Sequence, residues 1–143
     1  TLRQAGHARP RIAVAALNPH AGDGGNFGRE EIDVIEPAVR HMAGGQMAVT
    51  GPLPSDTVFL KVTKGEIDAV VTMYHDQGQI ALKLLGFDRG VTVQGGLPVP
   101  VTTPAHGTAF DIAGQGTADL GATRAAFGIA CKMVRNSQKE TAA

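Results

Sequence analysis

Three short segments of this sequence carry side chains suited to chemistry. In the first, Asn18-Pro19-His20-Ala21-Gly22-Asp23-Gly24-Gly25, a histidine is followed by three glycines in four positions. The second, Tyr74-His75-Asp76-Gln77-Gly78, sets a histidine directly beside a carboxylate. Imidazole is a common ligand for divalent metals, and a glycine-rich surrounding lets it point into an open cleft. Taken singly, either histidine also suits a role bonded to nearby backbone. Asp76 suits a metal ligand, a group that orients one, or a helix cap. As a pair in matching positions, His20 and His75 point to one shared site. Two ligands do not complete it, because catalytic metals usually take three or more protein donors.

The third segment runs from Pro104 to Gly116 (PAHGTAFDIAGQG). Small residues such as Gly107 and Ala109 beside His106 let a flat adenine lie against the backbone, and Asp111 can accept hydrogen bonds from both ribose hydroxyls. A plain loop with Asp111 as a cap is the alternative. No Gly-x-Gly-x-x-Gly follows a strand, so the usual dinucleotide fingerprint is absent.

The elements that must position these residues follow from periodicity. Residues 11–17 (RIAVAAL) form a short apolar run closed by Asn18-Pro19 and read as a buried strand. Residues 30–42 read as a helix with Ile32, Ile35, Val39 and Met42 on one face, kinked or broken at Pro37 and ended by Gly44-Gly45. Residues 47–50 read as a strand and Gly51-Pro52-Leu53-Pro54 as a rigid turn. Ser55 or Asp56 then caps a short helix through Val62. Residues 68–74 (DAVVTMY) give a strand running straight into His75, with a helical turn or two over 79–85. Residues 91–94 give another strand, followed by a proline-rich stretch to Pro104. Residues 119–134 close the chain as a helix with Ala122, Ala125, Ala126, Ile129 and Met133 facing inward. Strands alternating with helices make the fold class α/β, with ligands expected at strand ends. With no internal repeat and no linker, residues 1–143 read as a single unit without internal boundary.

Composition narrows the function. Of 143 residues 43% are apolar, enough for a core, and 13 basic side chains balance 13 acidic ones. That balance gives no reason to expect nucleic acid or an anionic membrane as partner. No apolar run approaches the roughly 20 residues that cross a bilayer. The single Cys131 permits no internal disulfide, which fits a reducing, cytoplasmic setting. The chain starts at Thr1 without Met or signal-peptide pattern and reads as a fragment or a processed chain. A metal-dependent hydrolase is disfavoured, since neither a nucleophile motif nor His-Glu-x-x-His is present.

In this order, NPHAGDGG, GPLPSDT, MYHDQGQIALKLLGF and PAHGTAFDIAGQGTAD resemble the C-terminal part of the 4-hydroxythreonine-4-phosphate dehydrogenase (PdxA) family, over about residues 11–133. The resemblance implies the C-terminal part of an isocitrate/isopropylmalate dehydrogenase-like fold, a longer enzyme and a homodimer whose site is shared between subunits. It implies that His20 and His75 are two of three metal-binding histidines, the third lying upstream, and that the metal is Zn, Mg or Co. Lys83 matches a substrate-binding lysine, with proton transfer open to it were its pKa lowered; a solvated helix lysine is the alternative. By looser similarity to isopropylmalate and isocitrate dehydrogenases, His106, Gly107, Ala109 and Asp111 face the adenosine of NAD.

The implied reaction is NAD- and metal-dependent oxidation, with decarboxylation, of a phosphorylated hydroxy acid such as 4-phosphohydroxy-L-threonine, in pyridoxine biosynthesis. Asp76 and Lys83 are the residues expected to assist catalysis. Three positions depart from the family pattern: Thr92 replaces a substrate-binding asparagine, Val101 an arginine, and Ala105 an aspartate before His106. Losing a guanidinium removes a bidentate anion partner. These changes resemble a side branch acting on D-threonate or D-erythronate 4-phosphate, or on a diol acid. A truncated, non-catalytic fragment is the remaining reading.

Overall fold

The computed structural model describes residues 1–45 and 47–141, without the side chains of residues 140 and 141. No helix among them is long and apolar enough to cross a membrane. The sequence shows no internal boundary, yet the chain forms two compact units: Ala8–Ala81, and Thr1–His7 together with the chain from Leu82 onward. The division falls within a continuous helix, where no change of composition marks it.

The Ala8–Ala81 unit is built on a parallel sheet. β1 (Arg11–Ala15) lies between β2 (Ala48–Leu53) and β3 (Ala69–Val71). β1 is central, and its Ala13 and Ala15, with Ala16 just beyond it, are fully buried. Arg11 sets the register at its start. The guanidinium donates to both Asp68 carboxylate oxygens at 2.8 and 2.9 Å, and the Arg11 N–H reaches Asp68 Oδ2 at 2.8 Å. That hydrogen bonding raises the Arg11 pKa. Ile12 then pairs with Ala69 and Val14 with Val71.

β2 runs through Leu53, so Gly51-Pro52-Leu53 is strand rather than the expected turn. An edge strand tolerates proline because the missing N–H costs no ladder bond on its open side. The register shifts between Ala13 and Ala15, and Gly51 passes so close to β1 that a Cβ would lie 2.5 Å from the Val14 carbonyl oxygen. Only glycine fits this approach, at φ +132°.

Residues 31–35 form one π-helical turn, and α1 (Glu36–Ala43) continues from it with Pro37 in its first turn. The expected break is thus a widened turn that absorbs the missing proline N–H. Ile35 and Val39 are buried as expected, whereas Ile32 and Met42 stay partly exposed. α2 (Val58–Thr63) is preceded by Thr57, with no side-chain cap bond, so neither Ser55 nor Asp56 caps it. Val58, Ile67, Ala13 and Ala15 form the core on that side of the sheet. On the other side an apolar groove of about 380 Å³ lies among Ile12, Val14, Ile35, Val39, Val71 and Met73. β3 is shorter than the expected 68–74 strand, and α3 (His75–Gly86) begins at His75 itself.

In the second unit, β4 (Val91–Gln94) pairs antiparallel with β5 (Val101–Pro104), a strand that the proline-rich sequence hid. α4 (Gly121–Thr141) packs here through Ala122, Ala126 and Met133, all buried and all expected inward. Small side chains bring the helix close enough for the Thr102 hydroxyl to donate to the Ala126 carbonyl at 2.9 Å.

Candidate functional site

β1 and β3 are parallel neighbours, so their C-terminal ends leave the sheet at the same edge. His20 lies five residues beyond β1, and His75 four beyond β3 at the start of α3. This topology brings both sequence-flagged histidines to one edge, the usual place for ligands in an open parallel sheet. Both side chains are exposed.

The His20 loop is shaped by directed polar contacts. Asn18 Oδ1 accepts the N–H groups of His20 and Gly22 at 3.0 and 3.3 Å, and Asn18 Nδ2 donates to the Phe27 carbonyl at 3.1 Å. The His20 ring stacks on Phe27 with centroids 4.2 Å apart. Beneath the loop sits Glu31, only 4% exposed. Its Oε1 accepts the Leu17 N–H at 2.7 Å, while Oε2 has no partner among the described residues. A Cβ on Gly22 would lie 2.8 Å from that Oε2, so the glycine makes room for the carboxylate. The carboxylate also stands in the first turn of the helical segment, where the backbone dipole favours negative charge.

At His75, Nδ1 lies 3.1 Å from Asp76 Oδ1. A proton held there leaves Nε2 with its lone pair outward, the tautomer a metal requires. Asp76 thus suits the orienting role among those its position allowed. The two imidazoles fit a divalent ion in kind, as exposed donors at one sheet edge. In number they are incomplete: among the described residues, no group of three or more His, Cys, Asp or Glu side chains is placed to hold an ion.

The second unit carries the other flagged residues. Lys83 is exposed in the last turn of α3. Thr92, also exposed, pairs with Thr103 across β4 and β5, and Val101 pairs with Gln94. A cleft of about 440 Å³ is lined by His106, Gly107 and Ala109 together with Phe87, Ile112 and Ala122. Asp88 and Asp119 line it too, so its walls are mixed, with small side chains at Ala109, Ala118 and Ala122 that leave room for a flat heterocycle. The His106 ring meets the Gly107 carbonyl at 2.9 Å, and Ala109 takes a left-handed φ of +47°. Asp111 is exposed in the single turn Phe110–Ile112 and does not line the cleft. Glu31 and Gln77 are the polar residues that sequence reasoning missed. A glutamate near a helix start and a glutamine in a polar run both look solvated until tertiary contacts bury the one and half-bury the other.

The sequence profile described as pyridoxal phosphate biosynthetic protein PdxA matches residues 1–130. A Pseudomonas aeruginosa protein provisionally named 4-hydroxythreonine-4-phosphate dehydrogenase 2 is 67% identical over 138 residues, covering 94% of this chain and 41% of that protein. A Bradyrhizobium diazoefficiens protein provisionally named D-threonate 4-phosphate dehydrogenase is 51% identical over 129 residues, covering 82% of this chain and 37% of that protein. The crystal structure of 4-hydroxythreonine-4-phosphate dehydrogenase from Klebsiella pneumoniae superposes with a TM-score of 0.78 at 49% identity. That match covers 92% of this chain and 40% of the crystallised one, so the chain spans about two fifths of its relatives' length.

Proposed function

The chain belongs to the PdxA family, and on that premise we propose that it forms part of an NAD- and divalent-metal-dependent dehydrogenase acting on a phosphorylated hydroxy acid. The observation that carries the reading is the arrival of His20 and His75 at one edge of the parallel sheet, in a chain whose relatives are named dehydrogenases. The substrate loses hydride from a secondary alcohol carbon and a proton from its hydroxyl, NAD⁺ becomes NADH, and the resulting 3-keto acid releases carbon dioxide.

His20 and His75 would hold the metal, Zn, Mg or Co, which supplies Lewis-acid polarisation of a bound oxygen. Further donors come from outside the described residues, in keeping with a homodimer that shares its site. Asp76 orients the His75 ring through Nδ1. Lys83 offers its ammonium to an anionic part of the substrate, and Thr92 offers a hydroxyl to the same molecule. His106, Gly107 and Ala109 give NAD one wall of a cleft for its adenine, with Asp111 nearby in sequence to meet the ribose. NAD supplies the hydride acceptor, and the protein positions it.

A second reading, a substrate such as D-threonate or D-erythronate 4-phosphate, is favoured by Thr92 and Val101. A hydroxyl and an isopropyl group replace an amide and a guanidinium, so the pocket loses its bidentate anion partner. NADH formation with 4-phosphohydroxy-L-threonine, D-threonate 4-phosphate and D-erythronate 4-phosphate, compared at equal concentration, separates the two. Turnover of the first alone supports the vitamin-pathway substrate, and turnover of the others supports the side branch. A folded dehydrogenase that contains this chain and turns over none of them would refute the reading.

A further inference from the structure

The parallel ladder between β1 and β3 ends at the pair Val14 and Val71. Beyond it the two chains part, one toward His20 and the other into α3 at His75. The side chain of Gln77 joins them again. Gln77 Nε2 donates to the carbonyls of Ala16 and Leu17 at 2.9 and 3.1 Å, and Gln77 Oε1 accepts the Met73 N–H at 2.8 Å. The orientation of the amide is dictated by its partners, since two carbonyls need donors and an N–H needs an acceptor. Gln77 therefore prolongs the sheet past its last ladder bond with a side chain in place of backbone.

Leu17 is held from both sides. Its carbonyl accepts from Gln77 on the helix that begins with His75, and its N–H donates to the buried Glu31 at 2.7 Å. Asn18 follows directly and bonds the His20 N–H. An unbroken series of directed contacts thus runs from the first turn of α3 through Leu17 and Asn18 to His20. The ring of His20 is steadied in turn by Phe27, which lies on the loop bonded back to Asn18.

We infer that Gln77 is a positioning residue that sets the separation of His20 and His75, and thereby the bite they present to one metal ion, with Glu31 bracing the same strand end from below. This rests on the reading that both histidines serve one ion. Partners that hold metal ligands in place usually change affinity by roughly tenfold to a hundredfold when removed. Gln77→Met keeps the length of the side chain and removes all three bonds. Gln77→Glu keeps the acceptor for Met73 and turns the two donor contacts into repulsions. Val58→Ala, in the core on the α2 side of the sheet, lowers stability without touching this linkage.

The experiment follows the imidazole signals of His20 and His75 by NMR while Zn²⁺ is titrated into the chain, with thermal unfolding measured on each variant. In the unaltered chain both rings shift with one common midpoint. Gln77→Met raises that midpoint at least tenfold and separates the two rings' responses. Gln77→Glu weakens binding in the same direction, while Val58→Ala keeps the original midpoint despite its lower melting temperature. Unaltered titration in both Gln77 variants would overturn the inference. An equal loss in Val58→Ala would also overturn it, by showing that stability alone is being read. Rings that respond independently in the unaltered chain would instead remove the shared-ion reading, and the inference with it.

Discussion

Replacing Gly22 by alanine tests how the buried carboxylate shapes the His20 loop, and Gly24 supplies the internal control. Both glycines have positive φ, +75° and +63°, so alanine at either costs roughly 1–2 kcal/mol of backbone strain. Around Gly24 nothing lies within 4 Å of the added methyl, and the cost stops there. At Gly22 the methyl would stand 2.8 Å from Glu31 Oε2 and 3.2 Å from the Gly28 carbonyl oxygen, so something must move. Glu31 is packed at 4% exposure, and displacing it strains the Leu17 N–H bond at 2.7 Å. A hydrogen bond to a charged acceptor is worth about 1.5–3 kcal/mol, which sets the expected excess of Gly22→Ala over Gly24→Ala at about 2 kcal/mol. Urea unfolding of the two variants side by side measures it, because the shared backbone strain cancels in the comparison. Equal midpoints would refute the reasoning, since they would mean that the loop yields without disturbing Glu31.

Other outcomes follow from single contacts. Val58→Ala removes two methyl groups from a side chain 1% exposed and should cost about 2–3 kcal/mol in urea unfolding. Thr102→Val keeps the shape of the side chain but loses the hydroxyl donated to Ala126, lowering stability by about 1 kcal/mol by the same assay. The hydrogen bond from Lys61, and then its charge, hold the Glu66 carboxyl below its ordinary range. Ionised Glu66 therefore favours folding above that range, and its contribution disappears as pH falls through the lowered pKa. Glu66→Gln should flatten the acid side of the stability–pH curve slightly and leave the neutral-to-alkaline side unchanged in shape.

Much of the frame was legible in the sequence. Residues 11–17 could be read as a buried strand because their apolar run is short and ends in Asn18-Pro19, and β1 occupies the first five of them. The inward positions Ala122, Ala126 and Met133 follow the helical period. The same reasoning failed where neighbours rather than local pattern decide. Gly51-Pro52 looks like a turn but continues as an edge strand, where a missing N–H goes unneeded. The β5 strand was hidden by Pro98, Pro100 and Pro104, and the first turn of α3 by a His-Asp-Gln-Gly run without apolar periodicity. The site was half visible: His20 and His75 announced themselves by residue type and place. Glu31 and Gln77 did not, because an ordinary polar side chain becomes a brace only when folding brings Leu17 between them.

The most direct test of the account asks whether NADH formation needs a metal and both strand-end histidines. The dehydrogenase of which this chain forms part is freed of metal by chelation and supplied with NAD⁺ and the phosphorylated hydroxy acids, then Mg²⁺, Zn²⁺ or Co²⁺ is restored. NADH is expected only after restoration, with loss of at least a hundredfold in His20→Ala and His75→Ala, since each removes one of a few direct metal ligands. NADH formed at an undiminished rate in the chelated enzyme, or in both histidine variants, would contradict this.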